Sequence, residues 1–248
     1  MSARSREISQ LALFGGPAQP GDWRVRPSRR ARRLAVRVLP GGMVEVVVPR
    51  GTLARAVQQF VVRHRRWIEY KVEQYRPRDG DAADRLPDSF RFPASGHGFS
   101  VRYRPHPGRL RLVAGPGTIE VSGDTARGAL VRRLLQRFTM RFARAALGRR
   151  LEELSAATGL GYRRVQIRRQ RTRWGSCSRQ GTICLNACLL FQPPQVMDYL
   201  LLHELAHTRH MNHSRRFWSL VARLAPNWRA LDAALMSGWR EVPAWMLR

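Results

Sequence analysis

Between Leu34 and Val48 apolar residues occupy every second position: Leu34, Val36 and Val38, then, beyond Pro40-Gly41-Gly42, Val44, Val46 and Val48. A period of two interrupted by a glycine-rich turn predicts a β-hairpin, ended by Pro49-Arg50-Gly51. Thr52 suits an N-cap, and from there Val57, Phe60, Val61, Trp67, Ile68 and Val72 mark one stripe of a helix expected to reach about Tyr75. Residues 76–89, with Pro77, Gly80 and Pro87, read as a surface loop. From Phe90 to Val121 short alternating runs return at Phe99, Val101 and Tyr103, at Leu110 and Leu112, and at Ile119 and Val121. They predict a small, mostly antiparallel sheet.

The period then changes again. Val131, Leu134, Leu135, Phe138, Phe142 and Ala145 form one face of a long helix starting near Thr125, and Arg133, Arg137, Arg141 and Arg144 form a neighbouring solvated face. Strands are expected over Val165–Gln170 and Thr182–Phe191, joined by the turn-rich segment Arg171–Gly181. Helices are expected over Gln195–His210, Ser214–Ala225 and Ala230–Leu235, punctuated by Pro193-Pro194 and Pro226. This order predicts an α+β protein: a flexible leader over 1–22, a β-rich region with one helix over 23–124, and a domain over 125–248 in which a small antiparallel sheet packs on a helix.

Composition narrows the class. The chain has 248 residues, 44% of them hydrophobic, enough for a sizeable core. No apolar run approaches the ~20 residues of a membrane span. Leu11–Phe14 is too short for the apolar core of an export signal, so a cytoplasmic protein with no membrane association is expected. The formal charge is +28, and Lys71 is the single lysine. Such a charge predicts non-specific attraction to nucleic acid more surely than a biological role, and an almost exclusive choice of arginine is what codon drift in a GC-rich genome produces. Cys177, Cys184 and Cys188 are too few for a disulfide framework, match no common structural zinc spacing, and read as small core residues in a reducing compartment.

The chemistry concentrates in His203-Glu204-Leu205-Ala206-His207. Residues four apart on a helix share a face, so His203 and His207 can direct both imidazoles at one ion. Glu204 then stands beside them, placed to take a proton from a water activated by the metal rather than to bind the metal itself. A catalytic zinc usually takes three protein ligands. His213 is the favoured third, reached if Met211-Asn212 turns the chain back with a left-handed Asn212; His210 and Glu241 are the competitors. Arg173-Trp174-Gly175-Ser176-Cys177 precedes the strand expected to end at Phe191, and that strand could be the edge with which an extended substrate pairs. Ser176 and Cys177 do not form a nucleophile elbow.

Arg173–Cys177, Asn186, His203–His207, Asn212-His213-Ser214 and Phe217-Trp218 together resemble the YgjP-like family of metal-dependent hydrolases, zincin-type proteins related to the SprT-like group. Arg29–Arg33, the Pro49-Arg50-Gly51 turn and the helix with His64 and Trp67 resemble that family's N-terminal part. The resemblance implies a zincin-like fold, zinc bound by His203, His207 and His213, Glu204 as general base, and a polypeptide substrate. Trp174, Gly175, Ser176 and Asn186 are the candidate substrate-binding residues. Two other readings stay open: a metal-dependent nucleoside-triphosphate pyrophosphatase, and a basic nucleic-acid-associated protein with a structural metal.

Overall fold

The computed structural model describes residues 23–76 and 85–247, and the chain divides into two compact units, 1–77 and 78–248. The leader expected over 1–22 and most of the loop expected over 76–89 lie outside the described residues.

In the first unit β1 (Trp23–Ser28) runs parallel to β3 (Val44–Pro49), which pairs antiparallel with β2 (Ala35–Val38). The expected hairpin is β2–β3. Its turn needs two residues at positive φ, supplied by Gly41 at 86° and Gly42 at 78°. The alternation in Trp23-Arg24-Val25-Arg26 is too short to announce β1, and Pro27 is tolerated because β1 lies at the sheet edge. The single helix expected over 52–75 is two, α1 (Ala54–Arg63) and α2 (Arg65–Tyr75), hinged at His64. The His64 ring Nδ1 bonds the Phe60 carbonyl at 2.8 Å, which also accepts the His64 N–H at 3.2 Å, so side chain and backbone of His64 together close the end of α1. Thr52 is not the cap: its hydroxyl donates to the Pro49 carbonyl at 2.9 Å and closes the preceding turn. Val44, Val46 and Val48 pack on Val57, Val61 and Ile68 to form this unit's core.

The second unit begins with a sheet ordered β4 (Ser89–Phe92), β5 (His97–Pro105), β7 (Thr118–Gly123), β6 (Arg111–Gly115). β5 and β7 are parallel, the other pairs antiparallel. Burial explains the departure from a simple meander. Ile119 and Val121 of β7 are wholly buried while Val113 of β6 is 67% exposed, so the more apolar strand takes the interior place. Phe90, Phe92 and Phe99 interlock with Phe138 and Phe142 of α3 (Gly128–Thr158) at centroid distances of 5.0–6.4 Å. Those contacts join the sheet to the C-terminal unit, and the division falls well before the boundary expected at 124. Along α3, Val131, Leu135 and Phe138 are buried, and Arg133, Arg137, Arg141 and Arg144 are solvated as expected; Ala145 is exposed, with Ala143 and Leu147 turned inward instead.

A second sheet has the order β8 (Arg164–Arg168), β10 (Thr182–Asn186), β9 (Gly175–Cys177), parallel on the β8 side and antiparallel on the β9 side. The strand expected to reach Phe191 stops at Asn186. The Asn186 side-chain oxygen accepts from the Cys188 N–H at 3.1 Å and starts a buried 3-10 turn over Ala187–Phe191. The helices α4 (Pro194–Ala206), α5 (Arg215–Leu224), α6 (Trp228–Ser237) and α7 (Ala244–Leu247) complete a mixed α+β unit. Arg150 of α3 grips both carboxylate oxygens of Asp198 at 2.8 Å and locks α4 to the long helix. No helix among the described residues is long and apolar enough to cross a membrane.

Candidate metal centre

α4 starts at Pro194, where a missing N–H is harmless, and is buried on most of its surface. His203 and Glu204 lie in its last turn, and His207 is its C-cap. The helix ends four residues earlier than the sequence pattern predicted, because the N–H groups of Thr208 and Arg209 close tight turns onto Leu205 and Ala206. This early end lets the chain swing back. It does so without a left-handed Asn212: no non-glycine among the described residues has positive φ. Ser214 then caps α5, accepting from the Phe217 N–H at 3.5 Å.

The result is a cluster of His203, His207 and His213, each with one ligand nitrogen within 4.8 Å of the others. The Nε2 atoms of His203 and His213 are 3.2 Å apart. Two nitrogens on one tetrahedral zinc stand about 3.3 Å apart, so this pair already has the spacing an ion requires. Phe217 is fully buried beneath the cluster, its ring 4.4–5.0 Å from all three imidazoles. Trp218 stacks on His213 at 5.5 Å and on Trp228 at 4.3 Å, which braces an imidazole carried by an exposed loop. His207 Nδ1 bonds the His210 carbonyl at 3.0 Å, leaving Nε2 for the cluster. His210 therefore takes part through its backbone. Neither its ring nor Glu241 joins the donor set among the described residues; Glu241 lines a separate cleft of about 530 Å³ with Asp88, Phe90 and Trp245.

Glu204 is 4% exposed and its Oε2 has no hydrogen-bond partner among the described residues. A buried carboxylate oxygen left alone points to a water or ion that completes it. The carboxylate presses on the backbone of Gly175, where a Cβ would stand 2.5 Å from Oε1, so any larger residue there displaces it. Burial pushes the Glu204 carboxyl up to about 8 against the opposing charge of Arg173. Burial, reinforced by His207 and His213, pushes His203 down to about 3, and His207 is lowered by burial as well.

These shifts act on stability with opposite signs. The lowered His203 destabilises the fold as pH falls below about 6.5, where only the unfolded chain takes up the proton. The raised Glu204 destabilises it as pH rises from about 4.5 to about 8, where the unfolded chain releases its proton first. Between pH 6.5 and 8 the glutamate dominates, partly offset by the last of the histidine titration in the unfolded chain. Chelator-treated protein is therefore expected to lose about 1 kcal/mol across that interval. Glu204→Gln should abolish most of that decline. Urea unfolding at pH 6.5 and 8 measures both, and parallel declines in the two proteins would refute the assignment.

The candidate substrate residues separate. Trp174 is 6% exposed and stacks on Trp239 at 3.9 Å. Asn186 is fully buried, donating to the carbonyls of Gln170 and Arg173 as well as accepting from Cys188. Asn186 is spent on holding the 170–174 loop, and Trp174 is held by its stack on Trp239. The strand ending at Asn186 is central, paired on both sides, and so is not the edge the sequence pattern proposed. The edges are β8 and β9, and it is β9, carrying Gly175 and Ser176, that packs against α4. Two polar neighbours were missed. Tyr199 donates to Asp232 Oδ1 at 2.9 Å and its hydroxyl lies 3.5 Å from His203 Nδ1. Tyr199 sits one turn before His203 on the same helix face, a spacing that could have drawn notice; nothing in the sequence flags Asp232.

Three convergent imidazoles beside a buried, unpartnered carboxylate are the equipment of a metal-dependent hydrolase. The profile of the YgjP-like family, a metallopeptidase domain, matches residues 32–237, and the chain belongs to that family. Among solved structures it is similar to the metallopeptidase zymogen abylysin of Pyrococcus abyssi, with 28% identity over 36% of this chain and 91% of that one. The TM-score is 0.34. No curated protein matches the chain.

Proposed function

We propose that the protein is a zinc-dependent, zincin-like metallopeptidase whose catalytic machinery lies within residues 125–248. The observation that carries the reading is the meeting of His203, His207 and His213 within 4.8 Å, at a helix end that also carries Glu204 with its buried, orphaned Oε2. A set of three imidazole nitrogens without a carboxylate donor suits zinc better than magnesium or calcium, which favour oxygen. Zinc in such a site supplies a Lewis acid and lowers the pKa of water to about 7. Glu204 accepts the proton of the attacking water at its free oxygen and returns it to the leaving amine. Its raised proton affinity suits both halves of that transfer. β9 offers an unpaired backbone edge beside Glu204, along which an extended polypeptide can add as a further strand. Burial and the neighbouring Glu204 push the Cys177 thiol up to about 11, which keeps it protonated and unsuited to nucleophilic attack.

The test incubates the full chain with zinc and, separately, an unfolded polypeptide and a panel of nucleoside triphosphates, with Glu204→Gln as control. Glu204-dependent peptide cleavage is expected. Glu204-dependent phosphate or pyrophosphate release without peptide cleavage would overturn the reading. The +28 charge attracts nucleic acid non-specifically and is a secondary property of the proposed peptidase, lost as salt rises.

A further inference from the structure

We propose that Asp232 and Tyr199 form an outer relay that fixes which nitrogen of His203 faces the metal, and so tunes how tightly the metal is held. This rests on the metallopeptidase reading above. A neutral imidazole carries its hydrogen on one of two nitrogens, and only the bare one can bind a metal. For His203 the cluster-facing atom is Nε2, 3.2 Å from His213 Nε2. The other, Nδ1, faces the Tyr199 hydroxyl at 3.5 Å. Tyr199 has one hydroxyl hydrogen, and Asp232 Oδ1 takes it at 2.9 Å. Only lone pairs remain to face His203. Nδ1 must therefore carry the hydrogen, and Nε2 is left bare.

His207 reaches the same tautomer by another route, its Nδ1 donating to the His210 carbonyl at 3.0 Å. One ligand is thus oriented by the main chain, the other by two side chains. Tyr199 is 1% exposed, so no bulk water stands in for it. Asp232 comes from α6, which packs on α4, and the relay makes the position of α6 part of the metal site. At 3.5 Å the bond to His203 is weak, so the relay contributes direction more than strength. Groups that hydrogen-bond the far nitrogen of a metal-binding histidine typically change metal affinity by about 10–100-fold, and the long distance places this one near the lower end.

The test measures the zinc dissociation constant of the full chain by chelator competition, with the visible spectrum of the cobalt-loaded protein as a second readout. Tyr199→Phe keeps the ring and deletes the acceptor; it should weaken zinc about tenfold and shift the cobalt bands. Asp232→Ala should do the same. Asp232→Asn, whose amide oxygen still accepts the tyrosine proton, should keep most of the affinity. Because the two residues act in series, Tyr199→Phe with Asp232→Ala should be no worse than either alone. Affinities within about twofold of wild type for both single variants, or losses that multiply in the double variant, overturn the relay while leaving the three-histidine site in place. Unchanged zinc binding in His203→Ala overturns the site and the relay together.

Discussion

Glu204→Gln is expected to retain zinc at wild-type occupancy while peptide hydrolysis falls roughly 10²–10⁴-fold, the range a general base contributes. Glutamine keeps the shape of the side chain against Gly175, where there is no room for a bulkier one. It removes the one property the mechanism uses, an oxygen that can take up a proton. Glu204 is not among the three donors, so the metal should stay. Turnover and metal content measured on the same preparation decide the matter. Near-normal turnover in a zinc-replete variant would make the carboxylate structural. Loss of zinc together with activity would make it a ligand.

Removing the third histidine tests a different link. Spread over four ligands, a zinc-binding free energy of about 10–16 kcal/mol implies that His213→Ala weakens zinc on the order of 10²-fold or more. The same change at His210 should leave affinity nearly unaltered, since His210 serves His207 through a backbone carbonyl that alanine also has. Zinc stoichiometry after gel filtration in dilute chelator separates the two variants. Full occupancy in His213→Ala, or depletion in His210→Ala, would reverse the ligand assignment.

The parts of this site legible in the sequence are those that depend on local periodicity. The four-residue interval between His203 and His207 needs only a helix to become a shared face, and Ser214 needs only a helix start to become a cap. The chain between them was harder to read. Asn212 is a natural left-handed residue, yet the reversal is made by ending α4 early, a choice settled by turn hydrogen bonds that leave no periodic trace. Strand position was hidden for a related reason. Thr182–Asn186 and Thr118–Gly123 are interior strands because of what covers them, and alternation says which face is apolar, not which strand lies between two others. Asn186 is a candidate substrate contact only through the family resemblance, not through any spacing of its own. Only its three hydrogen bonds reveal a residue spent on holding a loop. Behind His203, the four-residue interval from Tyr199 is a legible helical spacing, while Asp232 arrives only through the packing of α6 on α4 and is invisible to any spacing rule.

In the proposed site three imidazoles hold a zinc that Glu204 serves from outside the ligand set. X-ray absorption at the zinc edge of the loaded full-length protein tests it most directly. A shell of only nitrogen and oxygen at about 2.0–2.1 Å is expected, with outer scattering from three imidazoles, unchanged in Glu204→Gln. A sulfur scatterer at about 2.3 Å, or fewer than three imidazoles, would contradict it.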